Sequence, residues 1–433
     1  MTGTPGQTGP ETAVGTETMS AQAIDAAAEP LRAALADQLA RTGLLADPAW
    51  RHAVETVSRH RFVPGFYAQT DHRDEHGLVV WEPVTAATDT RRWLKAVYTD
   101  TTLITQFDGG EPDWGHPVTR AGGAPTSSST LPSLVLRMWM DADLDDGQDV
   151  LEVGTGTGYS TALACERLGG QGDVTSIEID PHRLEQAAAA LYGGGYSPDL
   201  AVADGLYGYW PSAPFDRIVA ACSVRTVPHP WLAQTRSGGK ILATLSGWLY
   251  GYARALLTVT RDSGGEPTAE GPLLPGTISF MAARTHNRPE PGNPAHWAAL
   301  TRDASPRPAR HAPSRVDEAT EEGFFGRFLA QLAVPDVQLA TENTVDGPVL
   351  HLVDVTTGSA ATLTPDHMVR QAGPARLWDA VEATWDAWDR AGRPGPQTFR
   401  MRVAQGRQTI IHTELKDLAF SLPSNPGSPV PGP

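Results

Sequence analysis

Three glycines alternate with single residues in the stretch VLEVGTGTGYSTALAC, residues 150–165. Gly154, Gly156 and Gly158 follow an apolar run and precede a helical pattern, which is typical of a loop that lets a small molecule approach the backbone. The dinucleotide fingerprint G-x-G-x-x-G would need glycine where Tyr159 stands. The pattern therefore favours a nucleoside ligand that lacks a pyrophosphate.

Two acidic residues follow the next two strand-like runs. Glu178 ends the run SIEID, where a carboxylate can accept hydrogen bonds from both ribose hydroxyls, and Asp204 in ADGLYG could reach an adenine amino group. Together with the glycine loop they predict an S-adenosylmethionine pocket. The alternative is that these residues only cap sheet elements. The predicted cofactor-binding residues are Glu152, Gly154, Thr155, Gly156, Gly158, Tyr159, Glu178, Ile179, Asp204 and Gly205.

The elements that must position these residues form an alternating pattern over residues 149–284. The β-branched runs DVLEVG, DVTSIEID, DLAVAD, FDRIVAAC and GKILATL are separated by helix-like segments, which predicts a Rossmann-like α/β fold with a mostly parallel, doubly wound sheet. YARALLTVT and GTISFMAAR follow without a helix and predict an antiparallel hairpin at its edge. Two helices are predicted earlier, one from Leu31 and one with Asp47 as N-cap before Pro48.

Composition divides the chain further. The predicted parts are a disordered tail (1–28), the catalytic domain (29–284), a Pro-rich linker (285–316), a small α+β appendage (317–422) and a second disordered tail (423–433). In the appendage a helix with Trp378, Trp385 and Trp388 on one face lies between two hairpins, the second around Gln405 and Gly406. We expect the appendage either to recognise a peptide or to cover apolar surface as a lid.

Charge and cysteine content restrict the partners and the compartment. The net charge of −16 repels phosphate backbones, so nucleic acid is an unsuitable partner. Cys165 and Cys222 lie in apolar runs, which favours core cysteines in a reducing compartment over a disulfide or a metal site. No signal peptide or membrane span is predicted, so the expected location is cytoplasmic.

Residues 31–284 resemble the protein-L-isoaspartate O-methyltransferases. The similar segments are AVYTDTTLITQ, TSSSTLPS, VLEVGTGTGYSTAL, VADGLYGY and APFDRIVAACSVRTVPHPWLAQTRSGGKIL. The resemblance implies a class I methyltransferase that uses S-adenosylmethionine to methylate a carboxylate. It also implies that Thr130, two residues before Pro132, places its hydroxyl beside the transferred methyl, with Ser129 as the neighbouring candidate; Thr130 could alternatively be a helix N-cap.

Such a reaction depends on alignment, because a carboxylate is already ionised at neutral pH and a sulfonium methyl is already activated. His52, His60 and His72 are therefore expected to be surface or packing residues.

Two departures from compact members of that family affect the expected substrate. The region before the active-site loop is expanded by residues 68–95 and by FDGGEPDWGHPVTRAGG, and a long segment follows residue 284. The enlarged arrangement resembles homologues that accompany ATP-grasp ligases in graspetide pathways. That resemblance implies methylation of an ordinary Asp in a crosslinked precursor peptide, leading to an aspartimide, with an ATP-grasp ligase as pathway partner. The alternatives are isoaspartyl repair and a non-catalytic protein that recognises a precursor peptide.

Overall fold

The computed structural model describes residues 19–290, 292–404 and 406–423. The helices are α1 (Ala21–Arg41), α2 (Pro48–Thr56), α3 (Ala86–Val97), α4 (Pro132–Asp141), α5 (Tyr159–Leu168), α6 (Pro181–Gly193), α7 (His229–Gln234), α8 (Pro294–Arg302), α9 (Glu321–Ala333) and α10 (Leu377–Arg390). Within the described residues, no helix has both the length and the apolar character needed to cross a membrane.

The strands belong to three sheets. They are β1 (Gly65–Arg73), β2 (Val79–Thr85), β3 (Leu103–Phe107), β4 (Arg120–Ala121), β5 (Pro125–Ser129), β6 (Val150–Val153), β7 (Val174–Glu178), β8 (Asp199–Val202), β9 (Phe215–Val224), β10 (Thr235–Ser246), β11 (Tyr252–Arg261), β12 (Pro267–Leu274), β13 (Arg307–Pro308), β14 (Gln338–Thr344), β15 (Gly347–Asp354), β16 (Ser359–Leu363), β17 (Met368–Ala372), β18 (Phe399–Ala404), β19 (Arg407–His412) and β20 (Ala419–Ser421).

The central sheet confirms the predicted α/β fold class. Its strand order is β20-β19-β18-β12-β11-β10-β9-β6-β7-β8. Strands β6 to β10 correspond to the five predicted runs and pair in parallel, whereas β11 onward pair antiparallel. The crossover helices cover both faces, so β6 is buried throughout. The carboxyl ends of the parallel strands consequently meet along one edge of the sheet.

The predicted edge hairpin has a different second strand. β11 pairs with β12, and a turn at Asp262 and Gly265 joins them. Residues 276–284, the predicted partner, lie instead against the end of β9, where Ser223 N donates to Met281 O and Ala283 N donates to Ser223 O, both at 2.8 Å. The prediction missed β12 because its buried positions are Pro, Ala, Gly and Leu rather than β-branched residues.

The amino-terminal helices begin partly earlier than predicted. Helix α1 starts at Ala21, inside the range 1–28 assigned to a tail, because Ser20 Oγ accepts from Ala23 N and the following residues are rich in alanine, the best helix former. The rest of that predicted tail, residues 1–18, lies outside the described residues. Helix α2 has the predicted N-cap, since Asp47 Oδ1 accepts from Ala49 N at 2.8 Å.

The expansion before the active-site loop is ordered as a second sheet. Residues 68–95 supply most of β1, β2 and α3, and the five strands run in the order β4-β2-β1-β3-β5. Strand β5 lies at one edge and ends at Ser129, immediately before Thr130. The expansion therefore belongs to the same sheet as the strand that ends at Ser129, next to Thr130.

The Pro-rich segment 285–316 is not a simple linker. It contains α8 and β13, and β13 pairs with β17 in a third sheet of order β13-β17-β16-β15-β14. Arg307 Nη2 and Arg310 N donate to the carboxylate of Glu382, which is fully buried in α10. The segment is ordered because its polar groups satisfy a carboxylate that would otherwise be costly to bury.

The predicted appendage is also not independent. Strand β18 pairs with β12, so the carboxyl-terminal hairpin continues the central sheet; Gln405 at its turn lies outside the described residues, as do residues 424–433 of the second tail. Trp378, Trp385 and Trp388 do share one face of α10, and each is at most 1% exposed. These three tryptophans are packing residues. Of the two roles expected for the appendage, their burial favours a lid that covers apolar surface over a surface that recognises a peptide.

Candidate active site

A cavity lies at the carboxyl ends of β6, β7 and β9, between these strands and β5. Its position agrees with the rule that open α/β sheets bind ligands beyond the carboxyl ends of their strands. Most of the predicted site residues line it: Ser129, Thr130, Gly154, Thr155, Gly156, Tyr159, Glu178, Ile179, Asp204 and Gly205. The cavity thus brings the predicted cofactor loop and the predicted catalytic hydroxyl together.

The glycine loop has the backbone conformation that its sequence predicts. Gly154, Gly156 and Gly158 have φ values of 101°, 55° and 88°, in the left-handed region that side chains other than glycine rarely adopt. Gly154 N donates to Ile177 O at 2.8 Å, which ties the loop to the end of β7. At Gly154 and Gly156, which line the cavity, the backbone is therefore open to a ligand.

Glu152 and Gly158 do not line the cavity, although both were predicted to bind the cofactor. Glu152 is fully buried beneath the loop and accepts hydrogen bonds from Thr161 and Ser176, and its burial raises the pKa of the carboxyl. A Cβ at Gly158 would lie 3.2 Å from Ala187 Cβ, so this glycine permits close packing of α5 against α6. Both residues support the loop from behind.

Glu178 and Asp204 line the cavity and also cap local structure. Glu178 Oε2 accepts from Gly156 N at 2.9 Å, and Oε1 accepts from Ile179 N at 3.0 Å. Asp204 Oδ1 accepts from Leu206 N at 3.0 Å. A carboxylate oxygen can accept more than one hydrogen bond. Capping and ligand binding are thus compatible, and these two acceptors fit the ribose hydroxyls and the adenine amino group of S-adenosylmethionine.

The hydroxyl of Thr130 is not used as a helix cap. Helix α4 has Leu131 as its N-cap residue without a side-chain cap. The free N–H groups there are satisfied from elsewhere, since Ser133 N donates to Asp100 Oδ1 at 2.9 Å and Leu131 N donates to Thr102 Oγ1. Within the described residues Thr130 Oγ1 has no hydrogen-bond partner, so its hydroxyl is available to a ligand in the cavity.

Arg59 is a residue of this site that the sequence did not reveal. Its side chain is fully buried, and Nη2 donates to the carbonyl oxygens of Ser129 and Thr130 at 3.1 and 3.0 Å. The guanidinium also donates to the Ser129 hydroxyl and to the backbone carbonyls of residues 97, 99 and 101. Desolvation lowers the pKa of Arg59 to about 10. Ser129 is consequently a structural partner of Arg59, so of the two predicted catalytic residues Thr130 is the one whose hydroxyl has no hydrogen-bond partner among the described residues.

Residues 280–284 form another part of the cavity lining that the sequence did not reveal. Phe280, Met281 and Arg284 line it. Arg284 Nη2 donates to Asp180 Oδ2 at 2.9 Å, and Asp180 also accepts from Gln106 Nε2. Residues 276–284 were interpreted as a strand of the edge hairpin because their composition is apolar. Their place in the cavity lining depends instead on contacts with Ser223 of β9, which is distant in sequence.

Cys222 also lines the cavity. Burial raises the pKa of its thiol to about 12, so the side chain stays neutral near physiological pH.

Comparison with known proteins agrees with this geometry. Residues 90–264 match the family model described as protein-L-isoaspartate(D-aspartate) O-methyltransferase. This segment is similar to that family. It contains β5, the glycine loop, Glu178 and Asp204, whereas Arg59 and residues 280–284 lie outside it.

Individual relatives carry the same name. A protein-L-isoaspartate O-methyltransferase of Thermococcus onnurineus is 33% identical over 140 residues, which is 31% of this chain and 61% of the relative. Protein-L-isoaspartate O-methyltransferase 1 of Archaeoglobus fulgidus is 37% identical over 136 residues, again 31% of this chain and 61% of the relative. The chain thus spans about three fifths of the length of these relatives.

A solved structure extends the similarity in fold. It is a structure of a protein-L-isoaspartate O-methyltransferase, has a TM-score of 0.50 at 19% identity, and covers 88% of this chain and 99% of its own. Residues 1–284 make up only about two thirds of the chain, so a match over 88% of it includes part of the region after residue 284. The carboxyl-terminal region is therefore not unique to this chain.

Proposed function

We propose that this chain is an S-adenosylmethionine-dependent carboxyl O-methyltransferase that acts on an aspartyl-derived carboxylate in a peptide or protein. One observation carries the proposal. The unengaged hydroxyl of Thr130 lines the same cavity as the glycine loop, Glu178 and Asp204, in a segment similar to the methyltransferase family. The non-catalytic alternative would give this hydroxyl no role.

The chemistry requires little from ionisable side chains. S-adenosylmethionine, when bound, supplies a methyl group that an anionic oxygen accepts directly. Glu178 and Asp204 would hold its ribose and adenine. Because the acceptor carboxylate is ionised near neutral pH, no base has to remove a proton. The protein contributes alignment and exclusion of water, which together can lower a barrier by several kcal/mol, up to about 7–11.

Within this arrangement Thr130 orients the acceptor. Its hydroxyl can donate one hydrogen bond to a carboxylate oxygen, which leaves the other oxygen free to attack the methyl carbon. Arg59 positions Thr130 through the backbone carbonyl and does not itself need to touch the acceptor. A neutral donor suits this task, because a cation in contact with the attacking oxygen would stabilise the carboxylate before the reaction.

The acceptor that the relatives favour is the isoaspartyl carboxylate, since both curated relatives are named for it. The second candidate is the side-chain carboxylate of an ordinary Asp in a crosslinked graspetide-type precursor, with an ATP-grasp ligase acting earlier in the pathway. The observation that favours it is the ordered expansion at residues 68–95 and 107–123, which enlarges the protein next to β5. The carboxyl-terminal region does not discriminate between the two acceptors, because the solved structure of a protein-L-isoaspartate O-methyltransferase shares part of its fold.

Mass spectrometry of matched peptides tests the proposal. One sequence is prepared with isoaspartate, with aspartate, and with aspartate inside an ester or amide crosslink, and each is incubated with protein and S-adenosylmethionine. Repair specificity predicts methyl gain on the isoaspartyl form alone. Precursor tailoring predicts methyl gain on the crosslinked form, followed by loss of methanol. Methylation of none of the three, with S-adenosylhomocysteine bound normally, would contradict the proposal and favour the recognition protein.

A further inference from the structure

A second cavity of about 290 Å³ adjoins the first and is not used by the chemistry described above. Gly156, Thr157 and Arg183 line both cavities. The remaining lining comes from α6, from Thr105 of β3, from Trp114, and from Arg61, Phe62 and Pro64. The second cavity is therefore continuous with the candidate active site and is closed on one side by the inserted segment 107–123.

The indole of Trp114 packs against β1, at Gly65 and Tyr67. Gly65 leaves room for its indole, because a Cβ at residue 65 would collide with the ring. Its ring lies 5.1 Å from the ring of Tyr67, and Tyr67 in turn packs edge-to-face on Phe107 at 5.5 Å. Tilted and edge-to-face arrangements of this kind are favourable for aromatic pairs. The tryptophan is held in place by the second sheet.

The inserted segment is also fixed to α6. The Glu111 carboxylate forms an ion pair with Arg183, which is 4% exposed, and accepts from Gln186 Nε2 at 2.6 Å. Arg61 at the opposite rim pairs with Asp25. Both cations that line the second cavity thus have carboxylate partners, and the cavity has no strong preference for a charged group.

We propose that the second cavity is a subsite for an apolar side chain of the acceptor peptide, close in sequence to the methylated residue. The inference rests on the proposed function. Phe62, Pro64 and Trp114 supply apolar surface, and the facing side of α6 presents the small side chains of Ala189 and Ala190. Apolar surface faced by small residues leaves room for one large aliphatic or aromatic side chain.

The test compares peptides that differ at one position. The starting peptide is one that the protein methylates. Leu, Phe, Gly or Asp is placed at one position at a time, and the positions varied are the two residues before and the two residues after the methylated residue. At one of these positions we expect Leu and Phe to lower KM about tenfold or more relative to Gly, which is the discrimination typical of an apolar pocket. The kcat at saturating peptide should be unchanged.

Two variants change the cavity in opposite ways. Trp114→Ala removes one side of it, and Ala189→Leu fills it from an exposed position on α6. Both should remove the preference for Leu and Phe while leaving the dissociation constant of S-adenosylhomocysteine unchanged. Trp114→Phe should retain most of the preference. Trp81→Ala is the matched control. Trp81 lies in β2 of the second sheet, the centre of its ring is 5.1 Å from that of Phe107, and it lines neither cavity.

The possible outcomes separate the two proposals. Equal KM values for all peptides with the parent protein, or an unchanged preference in both variants, would overturn the subsite while leaving the methyltransferase intact. Weaker binding of S-adenosylhomocysteine in Trp114→Ala with the peptide preference retained would assign the cavity to the cofactor instead and would also overturn it. Failure to methylate any peptide would overturn the proposed function and the subsite with it.

Discussion

Arg59 Nη2 donates a 3.0 Å hydrogen bond to the carbonyl oxygen of Thr130, and this contact joins the amino-terminal segment to the candidate active site. The guanidinium is fully buried without a carboxylate hydrogen-bonded to it among the described residues. Its desolvation is compensated mainly by carbonyl oxygens around the end of β5. A lysine could not replace it, because only arginine has five donors in a planar arrangement.

We therefore expect Arg59→Lys to lower the free energy of unfolding by at least about 2 kcal/mol, since several buried carbonyl oxygens lose their donors. The kcat should fall because Thr130 is no longer held, whereas the affinity for S-adenosylhomocysteine should change little. Urea denaturation and calorimetry measure the two effects. Unchanged stability would show that the carbonyl oxygens find other donors.

Thr130→Val should lower kcat/KM by tenfold or more, because a hydrogen bond to a charged group contributes about 1.5–3 kcal/mol. Thr130→Ser keeps the hydroxyl and should retain activity, so the pair separates the hydroxyl from the shape of the side chain. Steady-state kinetics with the accepted peptide measures both variants. Turnover by Thr130→Val at the parental rate would remove Thr130 from the catalytic site.

Glu178→Ala should weaken binding of S-adenosylhomocysteine by about 1.5–3 kcal/mol through loss of the ribose hydrogen bonds. Part of the loss will come from the glycine loop, because Glu178 also accepts from Gly156 N. Glu178→Gln retains one acceptor oxygen and should fall between the parent and the alanine variant. Calorimetry measures the affinities, with Glu185→Gln on the exposed side of α6 as control. NAD should not bind, and equal affinities in parent and Glu178→Ala would exclude Glu178 from the site.

His60 gives the fold a pH dependence. Its side chain is buried between Tyr98 Oη and Asp25 Oδ1, at 2.7 and 2.9 Å, and burial lowers the pKa of the imidazole below its usual 6.5. Below pH 6.5 the unfolded chain therefore binds a proton that the folded chain does not. The free energy of unfolding should fall on acidification through this window, by at most about 1.4 kcal/mol per pH unit for one proton.

Denaturation of His60→Gln at several pH values measures this contribution. The variant should show a flatter dependence below pH 6.5 than the parent, and His72→Gln, which alters an exposed histidine, should behave like the parent. Identical slopes for the parent and His60→Gln would assign the pH dependence to other groups.

The carboxyl-terminal region should be required for folding. Trp385 is fully buried and its Nε1 donates to Gly326 O at 2.8 Å, so Trp385→Ala should lower the free energy of unfolding by about 3–5 kcal/mol. Truncation after Arg284 removes β18 and leaves the edge of β12 unpaired. The truncated chain should not bind S-adenosylhomocysteine. Normal binding by it would show that the central sheet folds without β18.

Sequence patterns were sufficient for the centre of the fold and for much of the lining of the candidate cavity. Regular alternation predicted the parallel strands, and spacing predicted the loop that ends at Gly158 and the acids Glu178 and Asp204. These features depend on neighbours in the chain. Local patterns could also assign Asp47 as an N-cap, because a cap is completed within a few residues.

Features that depend on distant contacts could not be predicted. Arg59 acts through carbonyl oxygens that lie 38 to 71 residues away, and no local pattern identifies such a partner. β18 was assigned to a separate domain because its sequence does not indicate that it pairs with β12. The Pro-rich segment is ordered by its hydrogen bonds to the buried carboxylate of Glu382, which lies 72 residues away from Arg310. Its own composition does not indicate this contact, so the segment was interpreted as a linker.

Formation of a base-labile methyl ester tests the central claim most directly. The isoaspartyl and crosslinked peptides are incubated with methyl-labelled S-adenosylmethionine and either the parent protein or Thr130→Val, and volatile labelled methanol is counted after treatment with base. The account predicts methanol from at least one peptide with the parent protein and at least tenfold less with Thr130→Val. Stable incorporation of label without methanol release, or no incorporation by a parent protein that binds S-adenosylhomocysteine, would contradict it.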